Sequence, residues 1–342
     1  MKALVILDKK NGHANISKGI VKAIKTQLNL QTTYLRLKPI CIPFSKILTR
    51  IWPTGLNAAN FIANHRRNTL IKPNLIIASG GNTLWLAAAL ARKYGAISIF
   101  CGSCRKLPVG TIDILLHYDQ SIVAKEKGLY IPITLSHFSI KESKIRATKP
   151  NNSINKQSTG QFYACLIGGD GGGYKWRRSD YSRLAKILCK LSNEHNVKWF
   201  ISGSRRTPKY VAKLFDSIIN PEFIVDNCWY QLGDNREVLP QYIADSDFVL
   251  VTEDSASMLH ESIGNCRPTC SISPRTSNPD QCLLNFLTVA ESRCWLFRAN
   301  VETFSTKGFF ARIKCLRPLE TSNNHFVGDI IVDKIQQLTS MR

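Results

Sequence analysis

Residues suited to chemistry follow strand-like apolar runs at four places in the chain. The densest is LIGGDGGGYKW, residues 166–176, which has five glycines in six positions and then becomes basic and aromatic. Glycines after a strand let the backbone turn tightly, so that free N–H groups can face an anion. The spacing fits neither the dinucleotide fingerprint nor a Walker loop, which needs a Lys-Ser/Thr pair. The stretch indicates a phosphate or diphosphate site, with a mobile glycine turn as the alternative. The residues assigned to this site are Gly168, Gly169, Asp170, Gly171 and Lys175.

A second basic turn, ISGSRRTP at residues 201–208, follows the next strand-like run. Hydroxyl groups, guanidinium groups and the positive end of a helix starting near Pro208 would converge here. A planar guanidinium can hold a phosphate with two hydrogen bonds. An exposed basic turn is the alternative. The candidate ligand-binding residues are Ser204, Arg205, Arg206 and Thr207.

The third place, VTEDSASMLHES at residues 251–262, joins a strand to a helix. Serines at a helix start can cap its first turn. Ser257 and Glu261 are four positions apart and therefore lie on one helical face. We expect Asp254 and Ser255 at the helix start, a ligand phosphate on the serines and helix amides, and ribose hydroxyls on Glu261. The alternative is a capping motif whose acidic residues only stabilise the helix dipole.

The fourth place, LDKKNGHANISKG at residues 7–19, carries a candidate general base. Histidine titrates near neutral pH and can take a proton from an incoming hydroxyl. We therefore assign His13 as the catalytic base and Asp8 as its orienting partner, with a loop histidine that only packs or caps as the alternative. No serine-nucleophile elbow, His-Glu-x-x-His motif or paired zinc spacing is found, so we expect no metal and no cofactor.

The elements that must position these residues alternate between strands and amphipathic helices, which is typical of parallel sheets with helices on both faces. The pattern predicts an α/β protein with two Rossmann-like doubly wound domains facing a cleft. The predicted parts are an acceptor-side domain at residues 1–140, a polar linker at 141–160, a nucleotide-sugar-side domain at 161–325 and a closing helix at 326–342. Two such halves, with anion-binding loops in the second and a base in the first, describe the GT-B layout of glycosyltransferases.

Composition limits the classes of function. The formal net charge of +22 favours an anionic partner, although a uniformly basic surface would give the same total. No aromatic-interleaved basic stripe indicates nucleic-acid binding, and no apolar tract reaches the roughly 18 residues of a spanning helix. We expect a cytoplasmic protein, with peripheral attachment to the inner face of a membrane as an option. Cys101 and Cys104 have redox or zinc spacing without a second pair, which favours reduced core cysteines.

The stretches LIGGDGGGYKW, SGSRRTP and ADSDFVLVTEDSASMLHES together resemble the mitochondrial fission family named after the plant elongated-mitochondria protein, which has many bacterial members. The resemblance implies a GT-B-like fold in which a serine-rich loop and a helical glutamate bind a nucleotide sugar. One departure concerns the basic pair that the family typically carries after the strand near residue 78. This chain has Gly80, Gly81, Asn82 and Thr83 there instead.

Two functions follow from the residues and the resemblance together. The leading hypothesis is a metal-independent GT-B glycosyltransferase that moves a sugar from a nucleoside-diphosphate sugar to an envelope or lipid-linked acceptor. The competing hypothesis is a non-catalytic adaptor that recruits a partner protein at a membrane surface, because the plant protein is associated with recruiting a dynamin-related protein to mitochondria.

Overall fold

The computed structural model describes residues 1–37, 72–105, 107–137, 161–320 and 323–342. Two helical stretches expected between residues 38 and 71, a basic cluster at 64–68 and the linker predicted at 141–160 lie outside the described residues. The chain divides into two compact units, one formed by Met1–His137 with Asn323–Arg342 and the other by Phe138–Ser322.

The first unit is built on a parallel sheet whose six described strands have the order β2-β1-β3-β4-β5-β6. The strands are β1 (Lys2–Leu7), β2 (Gln31–Arg36), β3 (Leu75–Ser79), β4 (Ile97–Cys101), β5 (Ile114–His117) and β6 (Leu129–Tyr130). Its helices are α1 (Asn11–Leu28), α2 (Leu84–Tyr94), α3 (Gln120–Glu126) and the last helix of the chain, α10 (Asn323–Ser340).

The central strands of this sheet, β1, β3, β4 and β5, are buried on both faces, as their apolar runs predict. Successive side chains of a strand point to opposite faces, and the residues of β1 divide accordingly. Val5 belongs to an apolar cluster that includes residues of α1 and α10, whereas Leu4 and Ile6 belong to a second cluster with α2. Helices therefore cover the sheet on both sides, which is the doubly wound arrangement.

The second unit repeats the architecture with the strand order β12-β11-β10-β7-β8-β9, all parallel. The strands are β7 (Gln161–Ile167), β8 (Val197–Gly203), β9 (Ile224–Trp229), β10 (Phe248–Thr252), β11 (Thr269–Ser273) and β12 (Leu296–Asn300). The helices are α4 (Arg178–His195), α5 (Tyr210–Asp216), α6 (Leu239–Asp245), α7 (Ala256–Gly264), α8 (Gln281–Ser292) and α9 (Phe309–Lys314).

This strand order is that of the Rossmann fold and defines where a ligand is expected. The chain runs from β7 outward through β8 and β9 and then returns to the other side of β7 with β10. The crevice outside the carboxyl ends of β7 and β10 is therefore the topological switch point, the usual ligand position of such sheets. In the first sheet the corresponding point lies between β1 and β3.

The prediction of two doubly wound α/β domains is confirmed. Helix α1 begins at Asn11, so that His13 lies in the first helical turn and not in a loop. Gly12 and Asn15 have weak helix propensity, and the contact between His13 and Asp8 described below favours the helical conformation despite it. None of the described helices is long and apolar enough to cross a membrane.

Candidate functional site

Asp8, at the carboxyl end of β1, is paired with the candidate base. Its side chain is fully buried, and its Oδ2 atom lies 2.6 Å from His13 Nδ1. Asn82, after β3, donates its side-chain N–H to Asp8 Oδ1 at 3.1 Å. Burial raises the pKa of Asp8, but the hydrogen bonds from His13 and Asn82 outweigh this and lower it to about 2. Asp8 is therefore a carboxylate at neutral pH.

The pairing determines which nitrogen of His13 can act as a base. A carboxylate at Nδ1 favours the tautomer with its proton on Nδ1, which leaves the lone pair on Nε2. The His13 side chain is 35% exposed and lines a pocket of the first unit. The structure thus brings Asp8 and His13 into direct contact, and a catalytic role for this pair stays a prediction.

Two glycines after β3 make this arrangement possible. A Cβ atom on Gly80 would lie 2.1 Å from His13 Nδ1, and Gly80 has a φ of +88°, which favours glycine. A Cβ atom on Gly81 would lie 2.3 Å from the guanidinium carbon of Arg105. The position where the family typically carries a basic pair is therefore covered by a guanidinium from the loop after β4. His13 and Arg105 both line a pocket of about 300 Å³.

Asn82 lies in the turn between β3 and α2 and does not cap the helix. The N-cap of α2 is Thr83, and its side chain makes no capping hydrogen bond. The Thr83 hydroxyl donates instead to the carbonyl groups of Ser79 and Gly80. Asn82 is free for Asp8 because the turn after β3 directs it toward the end of β1.

In the second unit, the first two amides of the glycine loop face the protein and not an open site. The N–H group of Gly168 donates to Thr252 Oγ1 at 2.6 Å, and that of Gly169 donates to Asp254 Oδ2 at 2.9 Å. Both acceptors follow or end β10, the neighbouring strand across the switch point. The expectation that these two amides hold an anion is therefore corrected, since buried N–H groups are satisfied within the fold.

Asp254 is the carboxylate that organises this loop. Its side chain is fully buried, accepts a hydrogen bond from Trp176 Nε1 at 3.0 Å, and forms an ion pair with Arg206 at 2.7 Å. Burial raises the pKa of Asp254 to about 6, although the Arg206 guanidinium and the Gly169 N–H group act in the opposite direction. A Cβ atom on Gly168 would lie 1.9 Å from Asp254 Oδ2, so that only glycine fits there.

Arg206 ties the loop after β8 to the glycine loop. Its Nη1 atom donates to the carbonyl groups of Gly169 and Asp170 at 3.3 and 3.2 Å. The Arg206 side chain as a whole remains 39% exposed. The neighbouring cations Arg205 and Lys175 are exposed.

Ser204 and Thr207 shape the same turn through hydrogen bonds. Thr207 is 2% exposed, and its Oγ1 atom accepts the N–H group of Ser204 at 2.8 Å. The hydroxyl groups of both residues lie within hydrogen-bonding distance of the Gly168 carbonyl. The Thr207 hydroxyl is therefore engaged inside the protein. Asp170, which is exposed, accepts the N–H group of Trp176 at 2.8 Å, and Gly171 pairs with Tyr174 in a short turn.

The helix after β10 has an N-terminal turn without a side-chain cap. Ser255 occupies the N-cap position of α7, but its side chain makes no capping hydrogen bond within the described chain. The first backbone N–H groups of a helix have no acceptor in the helix itself. Ser257 is exposed in this turn, and Glu261, one turn later, is 7% exposed. Hydrogen bonds and an ion pair thus connect the three second-unit motifs through Gly169, Arg206 and Asp254, and ligand binding by the predicted residues stays a prediction.

Other residues of the second unit were not identified from the sequence. The Glu253 side chain is 1% exposed, accepts the Tyr174 hydroxyl at 2.9 Å, and forms an ion pair with Arg298 at 2.8 Å. Arg298 is 45 residues away on β12, and nothing in the spacing of the sequence indicates this pair. Across the described residues, no group of three His, Cys, Asp or Glu side chains is arranged to hold a metal ion. Burial raises the pKa of Cys101 to about 12, which keeps that residue a thiol.

Sequence comparisons identify a family and one relative. The sequence pattern of the family described as Mitochondrial fission ELM1 matches residues 11–279. A protein of Rickettsia prowazekii (strain Madrid E), described as uncharacterized protein RP120, is 24% identical over 240 residues. These residues cover 61% of this chain and 67% of that protein.

Solved structures with the same fold come from sugar-nucleotide biochemistry. MnaA of S. aureus, solved with UDP, has a TM-score of 0.59 at 12% identity and covers 100% of this chain and 97% of its own. The UDP-GlcNAc 2-epimerase of Methanocaldococcus jannaschii has a TM-score of 0.59 at 11% identity, covering 98% and 100%. MurG of Acinetobacter baumannii has a TM-score of 0.52 at 12% identity, covering 97% and 99%. These similarities show that the chain has the GT-B glycosyltransferase-like fold.

Proposed function

The chain belongs to the Mitochondrial fission ELM1 family. We propose that it is a GT-B glycosyltransferase whose second unit binds a nucleoside-diphosphate sugar. The observation that carries the proposal is the N-terminal turn of α7. Its N–H groups lack a side-chain cap, it lies at the switch point after β10, and the Arg206 guanidinium is anchored at the same edge of the sheet through Asp254.

The diphosphate is the part of the donor that these groups fit. The N-terminus of a helix carries about half a positive charge, and its N–H groups point along the axis toward a ligand. The exposed Ser257 hydroxyl in the first turn of α7 adds a side-chain donor. Arg206, which is anchored through Asp254, and the exposed Arg205 and Lys175 supply positive charge for the diphosphate. These groups would neutralise the diphosphate as it leaves.

The glycine loop has a different role in this proposal from the one that the sequence suggests. Because Gly168 and Gly169 direct their N–H groups to Thr252 and Asp254, they fix the carboxylate that holds Arg206 and do not bind the ligand themselves. Glu261, on the same helix as Ser257, is the proposed acceptor for the ribose hydroxyls.

In the first unit, we assign His13 as the base for the acceptor. The acceptor hydroxyl gives its proton to His13 Nε2, its oxygen forms a bond to the anomeric carbon of the sugar, and the bond from that carbon to the diphosphate oxygen breaks. The nucleoside diphosphate leaves with the bonding electron pair. Asp8 stabilises the resulting imidazolium through its contact with Nδ1. The net charge of +22 supports an envelope or lipid-linked acceptor at an anionic membrane surface.

The adaptor function is the second candidate, and one observation favours it. The glycine loop, Arg206 and Asp254 satisfy one another through hydrogen bonds and an ion pair, so that the switch point is held in shape by the protein itself. A protein that keeps the fold for recruiting a partner would need no more than this. Ligand binding distinguishes the two candidates.

A thermal-shift screen with UDP, GDP, CDP, ADP and their sugars tests the proposal. The decisive variant is Ser257→Asp, because an added carboxylate near a helix N-terminus favours the helix but repels a diphosphate. We expect one nucleotide to stabilise the wild type and to bind Ser257→Asp at least about tenfold more weakly, about 1.4 kcal/mol.

Asn193→Asp is the matched control for this screen. It adds the same single negative charge at an exposed position near the C-terminal end of α4. This variant should bind the nucleotide as the wild type does. If no nucleotide at millimolar concentration stabilises the wild type, the donor site is refuted and the adaptor function is favoured.

A further inference from the structure

A polar pocket of the second unit lies at the carboxyl ends of β11 and β12, and no residue of α7 lines it. Its volume is about 420 Å³. It is lined by one carboxylate, three cations, three phenylalanines and several small polar groups. The residues are Glu253, Ser273, Phe297, Arg298, Ala299, Asn300, Thr303, Phe304, Ser305, Lys307, Phe309 and Arg312.

The carboxylate of this pocket is already neutralised. Glu253 accepts the side-on pair of hydrogen bonds from Arg298, Nε to Oε2 at 2.9 Å and Nη2 to Oε1 at 2.8 Å. The hydroxyl groups of Tyr174 and Ser271 complete its hydrogen bonding, each at 2.9 Å. Because Arg298 neutralises it, Glu253 contributes little repulsion to an anion, and Arg298 itself also lines the pocket.

The other two cations have no carboxylate partner among the residues that the structure describes. The Arg312 guanidinium carbon lies 4.3 Å from the centroid of the Phe297 ring, and its Nη2 atom donates to the Arg298 carbonyl at 3.0 Å. These contacts hold the guanidinium plane while most of its five N–H donors stay available. Lys307 is exposed on the same rim. The nearby Glu302 pairs instead with Arg183 and Arg275.

The remaining walls suit the organic part of a ligand. Phe304 packs against Phe309 with ring centroids 5.4 Å apart and forms an apolar side of the pocket. Ser273 and Asn300 are bonded to each other at 3.1 Å and fix the opposite wall. Thr303 and Ser305, both exposed, add hydroxyl donors at the opening.

We propose that this pocket is a second anion site, which binds the phosphoryl group of a small organic phosphate between Arg312 and Lys307 with its organic part against Phe304. The guanidinium of Arg312, held against Phe297, and the exposed ammonium of Lys307 offer several N–H donors. Together with the hydroxyl donors at the opening, they fit the three oxygens of a phosphoryl group better than the two of a carboxylate. None of the residues proposed to bind the donor at α7 lines this pocket, and the proposal does not depend on the proposed transferase activity.

The test is calorimetric titration of the full chain with phenyl phosphate at constant ionic strength, with the variants Arg312→Gln and Lys307→Gln. Each should weaken binding by about tenfold or more. Lys314→Gln is the matched control, because Lys314 is an equally exposed cation on α9 that does not line the pocket, and it should bind as the wild type does. All three positions are exposed, so unchanged melting temperatures should accompany these results.

Two outcomes would overturn the proposal. Equal weakening by all three variants would mean diffuse attraction to a basic surface. Binding that is lost in Ser257→Asp but kept in Arg312→Gln would mean that phenyl phosphate occupies the α7 site alone. The source of the phosphate is tested by co-sedimentation with phosphatidylcholine vesicles containing phosphatidic acid. If the protein sediments with the vesicles, and both Arg312→Gln and added phenyl phosphate abolish this, the site binds a lipid headgroup. If the protein binds phenyl phosphate but does not sediment with the vesicles, the site binds a free metabolite.

Discussion

At the scale of single residues, the first unit depends on one buried carboxylate. Asp8 holds the His13 ring through Nδ1 and is itself held by Asn82. A larger residue at Gly80 would displace the His13 ring from Asp8, because its Cβ atom would overlap that ring. The candidate base is therefore positioned by three residues from two strand ends.

The Asp8 pair predicts an acid-dependent loss of stability. The pKa of Asp8 is about 2 in the folded protein against an ordinary value of 3.8. Because the folded pKa is lowered, the stabilisation is present above about pH 4 and is lost as the pH falls toward 2. We expect the unfolding free energy of the wild type to fall by roughly 1–2 kcal/mol more than that of Asp8→Asn over this range. Urea unfolding at several pH values measures it, and parallel curves for the two proteins would contradict it.

Gly168 gives a steric prediction in the second unit. A methyl group there would lie 1.9 Å from Asp254 Oδ2, a buried atom that cannot move into solvent. Gly168→Ala should therefore lower the unfolding free energy by about 1–3 kcal/mol. The control is the same substitution in an Asp254→Ala background, where the clashing oxygen is gone and the cost of Gly168→Ala should be smaller. Equal costs in both backgrounds would refute this explanation.

At the scale of elements, the sequence predicts the strands and helices well but not how the loops join them. Apolar runs of strand length and the amphipathic helices are local signals, and they identify the elements around both switch points. The direction of the Gly168 and Gly169 amides depends on Thr252 and Asp254, which lie more than eighty residues later in the chain. Such partners leave no mark in local spacing, and the same holds for Glu253 and Arg298.

Arg206 connects the loops after β7, β8 and β10, and its replacement should therefore change the unfolding free energy in a pH-dependent way. Without Arg206, the pKa of buried Asp254 should rise further above its value of about 6. A raised folded pKa makes the unfolding free energy fall as the pH rises. Arg206→Gln should therefore cost about 1–2 kcal/mol at pH 8, given that the guanidinium is partly exposed, and less at pH 5.

Arg205→Gln is the control for this variant. It removes the same charge from the adjacent exposed position and should leave stability within about 0.5 kcal/mol of the wild type at both pH values. A loss for Arg206→Gln that does not change with pH would show that the ion pair with Asp254 is not the cause.

At the scale of the whole molecule, the last helix of the chain returns to the first unit. Val327, Ile331 and Ile335 of α10 are buried in the same cluster as Ile20 and Ile24 of α1. The chain therefore starts and ends in one unit, and the second unit is inserted between these two segments. The sequence indicates an amphipathic closing helix but not the unit on which it packs, because an apolar face does not identify its partner.

Ile331→Ala tests this assignment. The side chain is fully buried, and removing it should cost about 2–4 kcal/mol. Because the cavity forms in the first unit, amide hydrogen exchange should accelerate in β1 and β3 and much less in β7 and β10. Gln337→Ala, at an exposed position of the same helix, should change neither. Faster exchange confined to the second unit would contradict the assignment of α10.

Amide chemical shifts of the deuterated, ¹⁵N-labelled protein test whether the N-terminal turn of α7 binds the diphosphate of a nucleotide sugar. During titration with the nucleotide selected by the thermal screen, we expect the largest shifts at the backbone amides of Ala256, Ser257 and Met258, since hydrogen bonds to phosphate form there. The Gly168 and Gly169 amides, already bonded to Thr252 and Asp254, should shift less. Saturable binding that leaves the α7 amides unmoved would contradict the claim.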